Sequence, residues 1–456
     1  MPSWTPDITG RTGPRYLAIA DCLAEAVDCG HLEPGVRLPT HRDLAEQLGL
    51  TVGTVTRAYA EAERRGLARG EVGRGTFVCD PAERRRPEAG DHLIDLSLNL
   101  PLYAEDPDLA GALRRLQKRR DLSSLLSYQP FAGDQRHRQA GADWIARHGL
   151  DAAPDHVLVT GGAQHAITVA LAALARAGDT VLTEELTYPG LKTAASLLGL
   201  RTAPVAMDDE GLRPDDLERA AKATGARVLY CMPTLHNPTT TTMTAARRRA
   251  VAEVARRRDL VVIEDDVHGL LAEDAPAPLA TLAPERTIYI ASTSKVLAGG
   301  LRVAYVAAPG DLMEALAFAV AASLWALPAL SLEVAAGWIA DGTADRVTER
   351  KRREAAARQA LAHDILPAGR YRTAGRSYFL WLELPPPWRA DRFVRAARDR
   401  GVVVSSAEAF TAGEGDPRAA VRVSLSAPGD RAEVADGLRA LADVLEHGPS
   451  PAAAIV

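Results

Sequence analysis

Only five of the 54 basic residues in this 456-residue chain are lysines, and one of them, Lys295, follows Ser292-Thr293-Ser294 at the end of the apolar run Ile288 to Ala291. An amine at that position in an arginine-favouring chain points to chemistry that a guanidinium cannot perform, such as Schiff-base formation with a carbonyl. Other polar residues also follow apolar runs. Thr160-Gly161-Gly162-Ala163-Gln164 follows Val157 to Val159, and Tyr188 comes soon after Val181 to Thr183. His236-Asn237-Pro238 comes after Val228 to Met232, Glu264-Asp265-Asp266 after Leu260 to Ile263, and Arg302 lies seven residues beyond Lys295. As an ordered set these residues meet the needs of pyridoxal 5'-phosphate (PLP). Lys295 supplies an amine for its aldehyde, Asp265 a carboxylate that keeps the pyridine nitrogen protonated, and Asn237 a donor to the phenolic oxygen. Tyr188 either stacks on the ring or only closes the core. Gly162, Ala163, Gln164, Ser292, Ser294 and Arg302 offer a phosphate cup of close backbone, free helix-start amides, hydroxyls and a cation. Acids ending an apolar strand pack poorly, so at least one of Glu264, Asp265 and Asp266 is expected to have a cationic partner.

The elements that must position these groups follow from periodicity. From about residue 155, short β-rich runs alternate with helical stretches such as Thr244 to Arg258, which predicts a mostly parallel sheet with helices on both faces. Sites in such sheets lie at the carboxyl ends of the strands, where the residues above fall. The length predicts two or three domains, and the net charge of -5 means that any nucleic-acid contact must come from local charge. The start, MPSWTPDITGRTGP, does not read as a signal peptide, and the apolar stretch Ala315 to Leu327 is too short to span a bilayer. A cytoplasmic protein with no membrane partner is therefore expected. Cys22, Cys29, Cys79 and Cys231 form no C-x-x-C pair and have no histidine at zinc-ligand spacing, so neither a disulfide framework nor a metal site is expected. The basic runs Arg247-Arg248-Arg249, Arg256-Arg257-Arg258 and Arg350 to Arg353 read as exposed helix faces with packed stems.

Before residue 80 the pattern is different. Tyr16, Leu17, Ala20, Leu23, Ala24 and Val27 recur at helical spacing, and Gly30 to Gly35 end that helix. Thr40-His41-Arg42-Asp43 has the form of a capping box for a second helix, which Gly49 closes, and Thr51 caps a third that runs to Arg65. So short a connection is that of a helix-turn-helix, and the Thr- and Arg-rich start of the third helix suits a major groove. Gly70 to Gly75 between two β-rich runs predicts a hairpin wing. On shape alone such a unit either reads DNA or packs against another body.

The wording of the segment goes further. LEPGVRLPTHRDLAEQLGL, TVGTVTRAYAEAERRGL and GRGTFV closely resemble the GntR-type winged-helix domain over about residues 13 to 78. The resemblance implies DNA contacts from Thr40, Arg42, Thr51, Thr54, Thr56, Arg57, Arg74 and Gly75. Val52 departs from it, because the family usually carries a polar or basic residue there. TGGAQHAI, EELTYPG, HNPTT, EDDVHG and STSKVLAGGLRVAY resemble the aminotransferase class I/II family from about residue 94 to 447. That match implies fold type I, PLP held at Lys295, Arg422 on a substrate carboxylate, Asn99 on the substrate side, and Tyr128 reaching the phosphate in the neighbouring subunit. His268 stands where the family usually has a tyrosine bonded to the phenolic oxygen; it can donate the same bond but is expected to titrate near neutrality. It joins Lys295 and Asp265 as a catalytic candidate.

Together the two parts resemble the MocR-type transcriptional regulators over nearly the whole chain. The expected architecture is α/β. A winged helix-turn-helix occupies residues 11–80, a linker 81–93, and a fold-type-I PLP domain 94–448, with a smaller C-terminal α+β subdomain from about 345. The resemblance implies a homodimer on a double-stranded DNA operator, with an amine, an amino acid or PLP itself acting through an aldimine at Lys295. The alternative is a working aminotransferase that moves an amino group between an amino acid and a 2-oxo acid. A third reading, a PLP-binding structural partner, makes no use of the polar third helix.

Overall fold

A computed structural model describes residues 4–8, 14–64, 67–71, 75–79, 93–118, 121–413 and 418–448. The chain divides into two compact units, Met1–His92 and Leu93–Val456. Arg74 and the expected linker, apart from Leu93, lie outside the described residues.

The first unit has three helices and a hairpin: α1 (Arg15–Asp28), α2 (His41–Leu48), α3 (Val52–Arg64), β1 (Ala68–Glu71) and β2 (Gly75–Val78). The starts of α2 and α3 are fixed by side-chain caps. Thr40 Oγ1 accepts from the Asp43 amide at 3.2 Å, and Thr51 Oγ1 accepts from the Thr54 amide at 3.2 Å. Such a cap stabilises a helix by about 1 kcal/mol. Gly49, at φ 64°, supplies the left-handed residue that ends α2 and lets α3 begin three positions later. Ile19, Leu23, Leu44, Val55, Tyr59 and Leu67 form the core, and the Tyr59 hydroxyl donates to the Pro39 carbonyl at 2.9 Å. β1 and β2 pair antiparallel.

The second unit is built on a seven-stranded sheet. Its strands are β3 (Val157–Thr160), β4 (Thr180–Glu184), β5 (Arg201–Val205), β6 (Val228–Cys231), β7 (Val261–Asp265), β8 (Thr287–Ser292) and β9 (Ala304–Ala307), in the order β3-β9-β8-β7-β6-β4-β5. Only β9 runs antiparallel to its neighbours. Every residue of β3, β6, β8 and β9 is buried, as the apolar runs require of strands covered on both faces. Successive residues of β7 face opposite cores. Ile263 packs with Ile167 and Leu171 of the helix Ala163–Leu174, and Val262 packs with Val251 and Val254 of the helix Ala245–Arg257.

A smaller antiparallel sheet orders Tyr371–Arg372, Phe379–Glu383, Ala420–Ser424 and Ser405–Ser406. The helices Thr343–Ile365 and Arg431–His447 cover it through Ala362, Leu438 and Leu441. The chain just after residue 93 joins this subdomain: Ile94–Asp95 pairs with Val402–Val403, and Leu96 enters its core.

Two basic runs depart from the expected exposed faces. Arg248 is 1% exposed and donates to the carbonyls of Met243, Pro233 and Ala277 and to Thr234 Oγ1, with Glu264 3.9 Å away. Lys351 is fully buried between Asp106 and the Leu297 carbonyl. Consecutive helical residues point about 100° apart, so a run of cations on a packed helix turns one member inward. Among the described residues no helix is long and apolar enough to cross a membrane.

Candidate functional site

The carboxyl ends of β3, β4, β6, β7 and β8 bring most of the expected cofactor residues together. Asp265 ends β7 and is 1% exposed. Its Oδ2 accepts from the Tyr230 hydroxyl at 2.7 Å and its Oδ1 from the Val267 amide at 3.3 Å. Burial pushes its pKa up to about 6, while these two bonds and the charge of Lys295 hold it down. Lys295 lies just past β8, and its Nζ donates to the Asn99 carbonyl. Burial, then Arg422, lowers its pKa to about 7 against the pull of Asp265, so an appreciable fraction of the amine is unprotonated at neutral pH.

At the end of β3, Gly162 has φ 90°, a backbone conformation that favours glycine, and the Arg302 guanidinium lies against it, with Nη2 2.4 Å from where a Cβ would stand. Gly162 caps the helix that begins at Ala163 and Gln164, whose first amides are the orphan donors of a helix start. Gln164 Nε2 donates to the Gly190 carbonyl at 2.8 Å, and Arg302 Nη2 donates to the Gly161 carbonyl at 3.3 Å. The Ser292 and Ser294 hydroxyls lie 3.0 Å apart. Tyr188 caps the next helix; burial, then the charge of Asp265, raises the pKa of its hydroxyl, while Arg302 and Arg422 lower it.

Arg422, 7% exposed, donates to Asn237 Oδ1 at 2.8 Å and to the Ser97 carbonyl at 2.6 Å, and lies over the rings of Phe410 and Phe379. Among the described residues it has no carboxylate partner, its Nε is unpartnered, and burial lowers its pKa to about 10. A buried cation without a counter-ion is costly to the fold.

His268, 1% exposed, has Nε2 3.0 Å from Asn99 Nδ2 and an unpartnered Nδ1. The expectation that it titrates near neutrality is corrected: burial, then the charges of Lys295 and Arg422, push its pKa well below the usual range, so the ring is neutral. Tyr128 is not part of this cluster. It is 87% exposed and stacks edge-on with Trp325.

The residues present therefore fit PLP: an amine of lowered pKa, a carboxylate held by two donors, a glycine-lined cradle beside Arg302, and buried polar atoms without partners. Tyr230, Ser97, Phe379 and Phe410 were not singled out from the sequence. Tyr230 had a readable signal, since a hydroxyl inside an apolar strand needs a partner and the acids of the adjacent strand offer one. The cationic partner expected for one of the three acids is Arg248, 3.9 Å from Glu264, and the rest of their contacts are to uncharged donors and a histidine. Besides Tyr230 on Asp265, His148 Nδ1 stands 2.9 Å from Asp266, and the Leu279 and Ala280 amides donate to Glu264.

In the first unit Thr40, Arg42, Thr51, Thr56 and Arg57 are exposed, while Thr54 and Gly75 are half-buried. The Thr56 hydroxyl donates to the Val52 carbonyl at 2.9 Å, so towards a ligand it can only accept. Gly75 has φ 121°, and a Cβ on it would meet Arg37 Nε at 2.7 Å, which places the Arg37 guanidinium beside the first residue of β2, at the turn end of the hairpin. Arg37 was not singled out from the sequence either, because its neighbour is 38 positions along the chain.

Fold and site define a fold-type-I, PLP-dependent aminotransferase-like body joined to a winged helix-turn-helix. The chain belongs to the MocR-type transcriptional regulators, in which a GntR-family reader is fused to a class I and II aminotransferase domain, and its cofactor is PLP. The family model "Aminotransferase class I and II" matches residues 91–441 and "Bacterial regulatory proteins, gntR family" matches 15–78. The uncharacterized HTH-type transcriptional regulator YdeF of Bacillus subtilis is 35% identical, covering 97% of both chains. PtsJ of Salmonella typhimurium, a vitamin B6 salvage pathway transcriptional repressor, is 30% identical over 90% of this chain and 94% of its own. Among solved structures, the α-aminoadipate aminotransferase LysN of Thermus thermophilus matches at TM-score 0.70 and 29% identity, covering 78% of this chain and 92% of its own.

Proposed function

We propose that this regulator senses a small amine or amino acid, or PLP itself, at Lys295 and converts the occupancy of that site into a change in operator affinity. The observation that carries the reading is Arg422, a buried guanidinium with no acidic partner among the described residues, in the same electrostatic environment as the Lys295 amine. The arrangement suits a ligand bearing both a carboxylate and an amino group. Bound PLP supplies a carbonyl that condenses with amines and an electron sink for the adjacent carbon. In this assignment Asp265 holds the ring nitrogen, and Asn237 and His268 face the phenolic oxygen. Tyr188 covers the ring, and Gly162, Ala163, Gln164, Ser292, Ser294 and Arg302 take the phosphate. Arg422 binds the ligand carboxylate, with Asn99 beside it.

On the DNA side, Thr40, Arg42, Thr51, Thr54, Thr56, Arg57 and Gly75 meet the operator, and the GntR-type resemblance of the sequence adds Arg74. A homodimer is supported by the exposed rings of Tyr128 and Phe131, which both pack on Trp325, and by the exposure of Leu122 and Leu126 shortly before them in the chain. In such a dimer Tyr128 would reach the partner's phosphate cup. For occupancy to alter DNA affinity, the ligand must bind the two arrangements of the protein unequally. PtsJ, named as a repressor of vitamin B6 salvage, supports PLP as one ligand to test.

Turnover is the second reading, favoured by the lowered pKa of Lys295. The test measures the affinity of the PLP-loaded protein for duplexes that it selects from a random pool, while an amino-acid panel is added and ketoacid is scored. A change in DNA affinity without ketoacid supports sensing, and steady ketoacid with unchanged affinity overturns it.

A further inference from the structure

Three successive backbone carbonyls at the Lys295 turn accept from side chains. The Tyr378 hydroxyl donates to the Lys295 carbonyl at 2.9 Å, Thr348 Oγ1 to the Val296 carbonyl at 3.4 Å, and Lys351 Nζ to the Leu297 carbonyl at 3.0 Å. Thr348 and Lys351 stand on the helix Thr343–Ile365, and Tyr378 directly precedes the strand Phe379–Glu383. The same ammonium reaches a second segment, because Lys351 Nζ also donates to Asp106 Oδ1 at 2.6 Å. Its neighbour Arg350 holds that segment as well, through Glu105 Oε2 at 3.2 Å and the Glu105 carbonyl at 3.1 Å. The direction of the bonds from Lys351 and Arg350 is fixed: an ammonium and a guanidinium only donate, and carboxylates and carbonyls only accept.

The two segments meet once more, where Lys295 Nζ donates to the Asn99 carbonyl. Lys351 therefore bonds both pieces of chain whose separation sets where the Lys295 amine lies. Burying an ammonium is costly, whereas a methionine of similar length would fill the same space without that cost. We infer that Lys351 is a positioning residue for Lys295, bracing against each other the two segments that meet at its amine. The inference rests on the proposed placement of PLP at Lys295. Lys351 also acts by charge. The charged groups acting on the Lys295 amine are Arg422, Asp265, Arg302 and Lys351, with neutral His268 nearby, and of these only Asp265 favours the proton. Lys351 itself is acted on by Asp106, Glu105 and Arg350. The brace thus adds positive charge towards an amine that must be unprotonated to add to the aldehyde of PLP, with release of water.

Lys351→Met keeps the stem and removes the ammonium. The chain has only five lysines, so NMR of the full-length, cofactor-free protein labelled with isotopic lysine resolves the Lys295 amine, identified by its loss in Lys295→Ala. Its titration midpoint, about 7 in the wild type, rises by roughly half a unit in Lys351→Met and stays in place when the exposed Lys222 is replaced by Met. At pH 7 the unprotonated fraction then falls from about a half to about a quarter. The rate at which added PLP becomes a lysine-bound chromophore reads the brace. At pH 9 the amine is unprotonated in wild type and variant alike, and capture is about tenfold slower in Lys351→Met, the effect of a displaced reacting group. Lys351→Met/Asp106→Asn, the second variant should the first not fold, removes both members of the pair and shows the same slowing. An unmoved Lys295 midpoint in Lys351→Met, or wild-type capture at pH 9 in whichever variant folds, overturns the inference. If the wild type captures no PLP, the cofactor placement fails instead, whatever the midpoint.

Discussion

Replacing Tyr230 by Phe removes one oxygen from a fully buried pair and leaves the packing otherwise intact. The Tyr230 hydroxyl donates to Asp265, and a hydrogen bond to a charged group contributes about 1.5–3 kcal/mol. At about 1.4 kcal/mol per pKa unit, its loss raises the Asp265 pKa by roughly one to two units. From its value of about 6 the group then moves to roughly 7–8. The sign follows from the bond favouring the ionised form, so that without it the proton stays on. At pH 7 the ionised fraction falls from about nine-tenths to between roughly a half and a tenth. If Asp265 must be ionised to pair with the protonated ring nitrogen, the Kd for PLP at pH 7 rises about two- to ninefold, and the acid-side loss of affinity begins one to two pH units higher. Spectroscopic titration of the cofactor-free protein with PLP from pH 5.5 to 9 measures both. A Tyr230→Phe protein with wild-type Kd and pH profile would refute the claim that this bond sets the charge of Asp265.

Two other substitutions probe different parts of the account. Glu184 is fully buried, accepts from the Met232 amide at 2.8 Å, and has its pKa raised by burial to about 7, whereas the unfolded chain releases the proton near 4.5. Ionisation therefore costs the folded wild type progressively between those two pH values and constantly above them. Glu184→Gln keeps the acceptor without the charge, so its stability relative to wild type grows from pH 5 to pH 8 by up to about 3 kcal/mol. Denaturant midpoints at the two pH values measure this, and an equal difference at both contradicts it. Arg57, exposed on α3, is expected to contribute one phosphate contact. Arg57→Ala should weaken operator binding and reduce the salt slope of log K by about 1, with melting temperature unchanged; an unaltered slope removes Arg57 from the interface.

The strands and caps were legible because their signals are local. Apolar runs of three to five residues bounded by polar ends gave β3, β4 and β6 to β8, and Thr40 and Thr51 perform the capping that their spacing implied. The gathering of these polar residues at the strand ends was legible too, because a parallel sheet brings the ends of its strands to one edge. What could not be read depends on side chains far apart in sequence. The lowered pKa of His268 comes from burial, then Lys295 and Arg422, none of which its own tripeptide shows. The inward turn of Arg248 needs four acceptors from two loops, and the contact of Asn99 with His268 spans 169 positions. Ser97 was silent because it acts through its backbone carbonyl.

The most direct test of the central claim is the absorbance spectrum of the purified protein mixed with PLP, recorded for wild type and for Lys295→Ala. The account predicts a visible band from lysine-bound cofactor in the wild type that Lys295→Ala abolishes, while the variant keeps its fold by circular dichroism. A wild type without the band, or a variant that retains it, would contradict the assignment of Lys295 as the group that holds PLP.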